Sequence, residues 1–193
     1  MLMKKEGCTQ SPIGKLLVVS PFIGNTYLRR TVLITAEQTE GIVTSFIINR
    51  KTRLTVNDIY DETTAGDFPI YYGGPCDTDT INILHKYPQL DGAKRIAHDV
   101  YYGGNISQAL VLIDIGQIKP TEIRFFAGHT WWEYVEIERQ ANVRKGLFFP
   151  KVSDVGRYIF CDDPTNIWST ALATVDSACS ILGEIPTQEV LLN

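Results

Sequence analysis

Short runs of apolar, β-branched residues alternate with polar loops along most of the chain. Runs of four to eight such residues, bounded by glycine, proline or asparagine, are typical of strands. They predict strands at residues 15–20, 31–36, 42–48, 69–72, 81–85, 96–101 and 122–126. The polar stretch 37–41 ends in Gly41 and predicts a hairpin between the second and third strands.

Apolar positions three or four residues apart predict helices between and after these strands. The predicted helices cover residues 55–60, 105–116, 131–142 and 163–183. Thr55 and Asp163 are suitable N-caps, and Gly128 is expected to end the strand before the third helix. Strands that come first and helices interspersed later predict an α+β fold with a mixed sheet.

No linker-like or low-complexity segment divides the chain. Its 193 residues suit one domain with a full hydrophobic core. We expect that domain over residues 12–183, with an N-terminal tail at 1–11 and a C-terminal tail at 184–193.

The charge balance bears on the class of partner. Eighteen Lys and Arg stand against 22 Asp and Glu, a net charge of −4, and 44% of residues are hydrophobic. A stand-alone nucleic-acid binder normally has a basic footprint, so this balance argues against direct DNA binding. The apolar runs are too short to span a bilayer, so no membrane partner is expected.

The N-terminus and the cysteines predict a cytoplasmic protein. Lys4 and Lys5 are followed by polar residues rather than the apolar core of a secretion signal. The cysteines, at positions 8, 76, 161 and 179, form no CxxC pair, so neither a zinc site nor a redox pair is expected. Free thiols in a reducing compartment are the prediction, with no metal and no cofactor.

Gly73, Gly74 and Pro75 follow a predicted strand and admit two interpretations. Their backbone amides could cradle an anion, or the segment could be a tight turn. Pro75 has no N–H to donate, and neither GxGxxG nor GxxxxGK[ST] is present, so the turn is favoured.

The other candidates for chemistry carry weaker signals. His85 and His98 lie in predicted strands, where a hydrogen-bonded or exposed histidine is the usual finding. His129 stands at a strand end, where catalytic groups do occur, but no nucleophile or base is paired with it in the sequence. Cys76 would be reactive if the adjacent loop activated its thiol, although small apolar filler is the commoner role.

Basic and aromatic residues suggest a contact surface. Asn49 and Arg50 open a basic cluster with Lys51 and Arg53 after the third strand, where a solvated strand end is the default interpretation. Trp132 belongs to a local concentration of aromatic residues that suits a core or an interface.

These motifs, taken in order, resemble the YqgE/AlgH family of small bacterial proteins over roughly residues 12–183. The resemblance rests first on the segments 16–21 and 27–32, on Ile-Ile-Asn-Arg at 47–50 and on Tyr-Gly-Gly-Pro at 72–75. It continues with Leu-His at 84–85, the stretch 125–128 leading to Trp132, and the closing segment 167–172. The chain departs from the family at 128–148, where Gly-Tyr-x-Gly-Trp is replaced by Gly-His-Thr-Trp-Trp and a later Trp is absent.

The resemblance implies a single α+β domain with a coiled, bifurcated mixed sheet flanked by helices, and a cytosolic location. The family's suggested role is transcriptional regulation, and it has no established catalytic residues to transfer. We therefore expect a non-enzymatic protein that acts through contacts with a protein or a small ligand, with gene regulation as a further expectation.

The alternative is an enzyme or an anionic-ligand-binding protein with its site around Gly73-Gly74-Pro75. In it Arg50 would grip an anion and His85 would handle a proton. Asn49, Arg50, Gly73, Gly74, Pro75, His85 and Trp132 are the expected ligand or interaction surface.

Overall fold

The computed structural model describes residues 11–60, 68–142, 146–175, 179 and 182–183. The strands in these ranges are β1 (Leu16–Val19), β2 (Val32–Thr39), β3 (Ile42–Ile47), β4 (Lys51–Thr55), β5 (Pro69–Tyr72), β6 (Cys76–His85), β7 (Ala93–Ala97), β8 (Val100–Gly103), β9 (Ile123–Glu133) and β10 (Leu147–Phe148). The helices are α1 (Ile106–Asp114), α2 (Tyr134–Asn142), α3 (Gly156–Ile159) and α4 (Ile167–Ala173), with 3₁₀ turns at Thr26–Leu28 and Val56–Asp58.

The sheet divides along the long strand β9. Its main path runs β10-β1-β2-β3-β9-β6-β8-β7, with β4 and β5 off this path. The end of β9 from Thr130 to Glu133 pairs with β3, whereas Phe125 to Ala127 pair with β5 on the same side. The β5–β9 pair is parallel and the other pairs are antiparallel. The predicted α+β fold with a bifurcated mixed sheet is confirmed.

Three apolar clusters bury the faces of this sheet. One includes buried residues of α3 and α4, and a second includes the buried face of α1. The third cluster lies on the opposite face of β1–β3 from the first and includes Ile137 of α2. Its buried members are Leu17, Val19, Leu28, Leu33, Val43, Ile47, Ile137 and Leu147.

Two expectations about secondary structure are wrong. Residues 96–101 are not one strand, because β7 and β8 form a hairpin that turns at His98 and Asp99, the latter with φ at 51°. The apolar alternation continued through both arms and concealed the turn. Gly128 does not end its strand either. With φ at 70° it absorbs an irregularity in β9, and Trp131 and Trp132 lie in that strand rather than in a helix.

The helix ends also differ from expectation. Asn105 caps α1 as its side chain accepts the Gln108 N–H, which agrees with the predicted start of that helix. At α4 the N-cap position belongs to Asn166, while Asp163 accepts the Thr165 N–H at 2.8 Å in the preceding loop. Residues 1–10 and 184–193 of the predicted tails lie outside the described ranges, and the domain limits remain a prediction.

Candidate functional site

Asn49 fastens the end of β3 to the start of β2. Its Oδ1 accepts the Val32 N–H at 2.8 Å, and its Nδ2 donates to the Arg30 carbonyl at 2.9 Å. Both halves of the amide are therefore used within the fold, and the side chain is half-buried. The residue positions its neighbours, and among them is Arg50.

Arg50 is exposed and reaches back over the same corner. Its Nη2 donates to the Arg29 carbonyl at 3.0 Å, and Arg29 Nε donates to the Ile23 carbonyl at 3.1 Å. In the part of the chain that the structure describes, neither guanidinium forms an ion pair. Arg29 and Arg50, here called the arginine rim, thus carry two positive charges at one corner of the fold, with no ion-pair partner among the described residues.

Gly73 and Gly74 pass closely against β9. The Gly73 N–H donates to the Ala127 carbonyl at 2.9 Å, and the Gly73 carbonyl accepts the Ile47 N–H at 2.9 Å. A Cβ on Gly73 would lie 2.2 Å from the Gly128 oxygen, so only glycine permits this approach. With Pro75 lacking an N–H, an anion cradle would have at most the amide of Gly74.

His85 is fully buried at the far end of β6 from this crossing. Its Nε2 lies 2.8 Å from the Gly103 carbonyl, and its Nδ1 accepts the Tyr87 N–H at 3.1 Å, which assigns the proton to Nε2. Burial lowers the pKa of the imidazole, and its two backbone hydrogen bonds oppose that shift. Ten residues of strand span about 30 Å, so the structure does not bring His85 together with Gly74.

Trp132 lies on the face of β9 that covers the third cluster. It pairs with Val43 of β3, and its neighbour on the same face, Thr130, pairs with Ser45. The indole Nε1 is buried and has no hydrogen-bond partner in the part of the chain that the structure describes. Such an orphaned donor is rare in folded proteins and calls for an explanation.

A second orphaned donor lies on this same face. The Ser45 side chain is fully buried, and its Oγ has no hydrogen-bond partner within the described ranges. The neighbouring Thr130 is also buried, yet its Oγ1 donates to the Ser45 carbonyl at 3.2 Å. A Cβ on Gly74 would lie 2.6 Å from the Thr130 methyl group, so the backbone at Gly74 packs directly against the Thr130 side chain.

Tyr72 lies next to Arg50 and packs against the third cluster. Its backbone N–H donates to the Arg50 carbonyl at 2.8 Å, and its half-buried ring packs against the third cluster, as Trp132 does. Burial raises the pKa of the Tyr72 phenol. Tyr27 and Cys76 add to that rise, and the positive charge of Arg50 opposes it. Ser45, Tyr72, Thr130 and Trp132 are here called the Trp132 face.

The structure thus brings together most of the predicted surface. Asn49, Arg50, Gly73, Gly74 and Pro75 lie around the junction of β3, β5 and β9. Trp132 lies farther along β3, opposite Val43 and about 20 Å of strand from Asn49, and His85 lies at the far end of β6. Sequence reasoning missed Ser45, whose signal was a hydroxyl on the otherwise apolar Val43–Ile47 face of β3. It also missed Thr130 and Tyr72, which become neighbours only through long-range pairing.

No cluster of three or more His, Cys, Asp or Glu suited to a metal ion occurs among the described residues. Nor does any described helix combine the length and the apolar character needed to cross a bilayer.

Comparison with known proteins places this architecture. A model of the family described as AlgH-like matches residues 16–179. A UPF0301 protein of Chlorobium phaeobacteroides is 30% identical over 174 residues, covering 90% of this chain and 91% of that protein. One from Chlorobium limicola is 31% identical over 175 residues, with 90% and 91% covered.

Two solved structures share the fold. The AlgH protein of Pseudomonas aeruginosa superposes with a TM-score of 0.67 at 19% identity, over 96% of this chain and 99% of that one. Protein DIP2367 of Corynebacterium diphtheriae gives a TM-score of 0.70 at 16% identity, over 92% and 94% of the two chains. The chain belongs to the AlgH-like family.

Proposed function

We propose that this AlgH-like protein is a non-enzymatic, cytosolic binding protein that recognises a small anionic ligand at the Trp132 face. The observation that carries the proposal is the pair of buried groups, Ser45 Oγ and Trp132 Nε1, that have no hydrogen-bond partner among the described residues. An orphaned buried donor costs a folded protein about 1–3 kcal/mol. A ligand that supplies acceptor oxygens would recover this free energy on binding.

The surroundings favour an anion attached to an apolar body. The arginine rim provides two cations without carboxylate partners, and Arg50 is joined to Tyr72 through the backbone. The third cluster beneath is aliphatic, with the Tyr72 and Trp132 rings at its edge. Small-molecule sites are typically mostly apolar with a few placed polar groups, and this combination of residues is of that type.

Access to the donors requires a side chain to move. Tyr72 is only half-buried, and its hydroxyl forms no hydrogen bond with the rest of the described chain. Rotation of a partly exposed aromatic ring is fast compared with ligand binding. Tyr72 is the movable side chain in this proposal because its ring packs against the same cluster as Trp132.

A role in gene regulation, if this protein shares the one suggested for its family, would run through protein partners rather than through DNA. The net charge of −4 supports this part of the proposal. Titrating a duplex oligonucleotide at low salt tests it. We expect no binding, and a salt-dependent affinity that falls in Arg50→Ala would contradict it.

Calorimetric titration with benzoate and phenyl phosphate tests the ligand site, because both probes carry an anionic head on an apolar ring. We expect binding by at least one of them and none by the neutral benzyl alcohol. Trp132→Phe keeps a ring and removes the N–H, so it should weaken binding by about tenfold, the worth of one hydrogen bond of about 1.4 kcal/mol.

Trp131→Phe is the matched control, because Trp131 is 55% exposed and alternation along β9 turns it to the opposite face. Binding by Trp131→Phe should equal that of the natural protein. Equal weakening in both variants, or no heat with any anionic probe, would contradict the proposal.

A further inference from the structure

Residues 77–80 of β6 bulge outward where the ladder to β9 is interrupted. Cys76 pairs with His129 and Ile81 pairs with Ala127, which leaves the bulge opposite Gly128. The backbone is left-handed on both sides, with φ at 48° for Asp77 and 70° for Gly128. Bulges of this kind re-aim side chains and are over-represented beside functional sites.

A thiol, an imidazole and a carboxylate occupy neighbouring positions at this bulge. Direct cross-strand partners have Cβ atoms about 4.5–5.5 Å apart on one face, which makes the Cys76 and His129 side chains neighbours. His129 Nδ1 lies 3.8 Å from Asp77 Oδ2. Within the described ranges, His129 Nε2 forms no hydrogen bond, so it is open to a new partner.

The cluster is open to small reactants. Cys76 is partly exposed, the His129 side chain is 20% exposed and that of Asp77 is 71% exposed. Cys161 is also partly exposed but lies in a different environment. Burial raises the pKa of its thiol, although the Arg124 guanidinium nearby opposes that rise. The reactivity of Cys161 can therefore serve as an internal reference for that of Cys76.

We propose that Cys76 is a site of thiol–disulfide exchange with low-molecular-weight disulfides such as glutathione disulfide. In this exchange His129 acts as the base that deprotonates the Cys76 thiol. This inference is independent of the Trp132 face. It assigns Cys76 a covalent modification rather than the apolar filling role that is commoner for a free cysteine.

The exchange balances without any further reactant. His129 takes the proton of the Cys76 thiol, and the thiolate sulfur attacks one sulfur of the disulfide. The new protein–glutathione S–S bond forms as the reagent's S–S bond breaks. The departing glutathione thiolate takes the proton back from the imidazolium, which the Asp77 carboxylate has stabilised. Cys76 is oxidised to the mixed disulfide, and one glutathione is reduced.

Peptide mass spectrometry of the full-length protein after timed exposure to glutathione disulfide gives a separate rate for each cysteine. Rates are measured in native buffer and in concentrated guanidinium chloride, each divided by that of free cysteine in the same solvent. We expect native Cys76 to react about tenfold faster than unfolded Cys76, as a positioned base accelerates a proton transfer. Native Cys161 should react more slowly than unfolded Cys161.

His129→Gln decides the role of the base. It should reduce the native Cys76 rate to the unfolded value or below and leave the Cys161 rate unchanged. A native Cys76 rate no faster than the unfolded one, or an unchanged rate in His129→Gln, would overturn the proposal. If His129→Gln disrupts the fold, the Cys161 rate will rise to its unfolded value. The exposed Asp77→Asn then decides, since a reduced Cys76 rate supports the proposal and an unchanged rate overturns it.

Discussion

Ser45→Ala should make the protein more stable, which is unusual for a change at a fully buried position. The serine Oγ is orphaned in the fold and hydrated in the unfolded chain, a difference of about 1–3 kcal/mol against folding. Alanine removes this cost but leaves a void of about one methyl group, which costs about 1 kcal/mol. The balance is a gain of about 1 kcal/mol, or roughly 2–4 °C in Tm for a chain of this length.

Thr130→Val is the matched control for Ser45→Ala. Thr130 stands directly across the ladder from Ser45, is also buried, and donates its hydroxyl hydrogen to the Ser45 carbonyl. Valine keeps the shape of the side chain and loses that hydrogen bond, so stability should fall by about 0.5–1.5 kcal/mol.

Urea unfolding of the natural protein and both variants measures the two changes, with m-values checked for a common unfolded state. Opposite signs are the expected result. Ser45→Ala should also weaken the binding of an anionic probe, because in our account the hydroxyl exists for a ligand. A loss of stability in Ser45→Ala as large as that in Thr130→Val would show that Ser45 has a partner in the folded protein and would refute the reasoning.

Three further predictions concern other parts of the site and fold. Gly73→Ala should cost more than about 2 kcal/mol in urea unfolding because its Cβ meets a backbone oxygen, whereas Gly24→Ala, with nothing within 4 Å, should change stability by less than about 0.5 kcal/mol. Asn49→Ala should lose about 1–3 kcal/mol by breaking both arms of its clamp, and Arg50→Ala should weaken anion binding with little loss of stability. Burial holds the pKa of His85 below its usual value. As the pH falls, the imidazole is therefore protonated in the unfolded chain before it is protonated in the folded protein. Stability therefore declines as the pH falls below about 6.5, and His85→Asn should flatten that decline in unfolding curves taken across this range.

The strand pattern predicted much of the fold because the core faces of β1, β2 and β3 are continuous apolar runs. It failed where backbone conformation overrides composition. Asp99 adopts a left-handed conformation that turns the predicted strand 96–101 into a hairpin. Gly128 also adopts a left-handed conformation, which lets β9 continue past the position where the strand was expected to end. Neither event changes the alternation of apolar residues by which strands are recognised.

The candidate site was only partly predictable for a related reason. Local patterns reveal the residues that directly follow predicted strands, namely Asn49, Arg50 and the Gly-Gly-Pro segment. Ser45 Oγ and the Trp132 indole lack hydrogen-bond partners because the neighbouring strands in the described chain offer none. A local sequence pattern contains no information about such long-range neighbours. His85 was expected to handle a proton at the Gly73-Gly74-Pro75 site, but the length of β6 separates it from Gly74.

The indole N–H resonance of Trp132 reports most directly on the central claim, which is that this donor awaits an acceptor from a ligand. Of the three tryptophans, Trp131 is exposed and Trp168 Nε1 already donates to the Val19 carbonyl at 2.8 Å, so their resonances serve as internal references. In a ¹H–¹⁵N titration with phenyl phosphate and benzoate, the account predicts a downfield shift confined to Trp132, absent from Trp132→Phe spectra. A Trp132 resonance that stays unmoved, or that moves no more than those of Trp131 and Trp168, would contradict it.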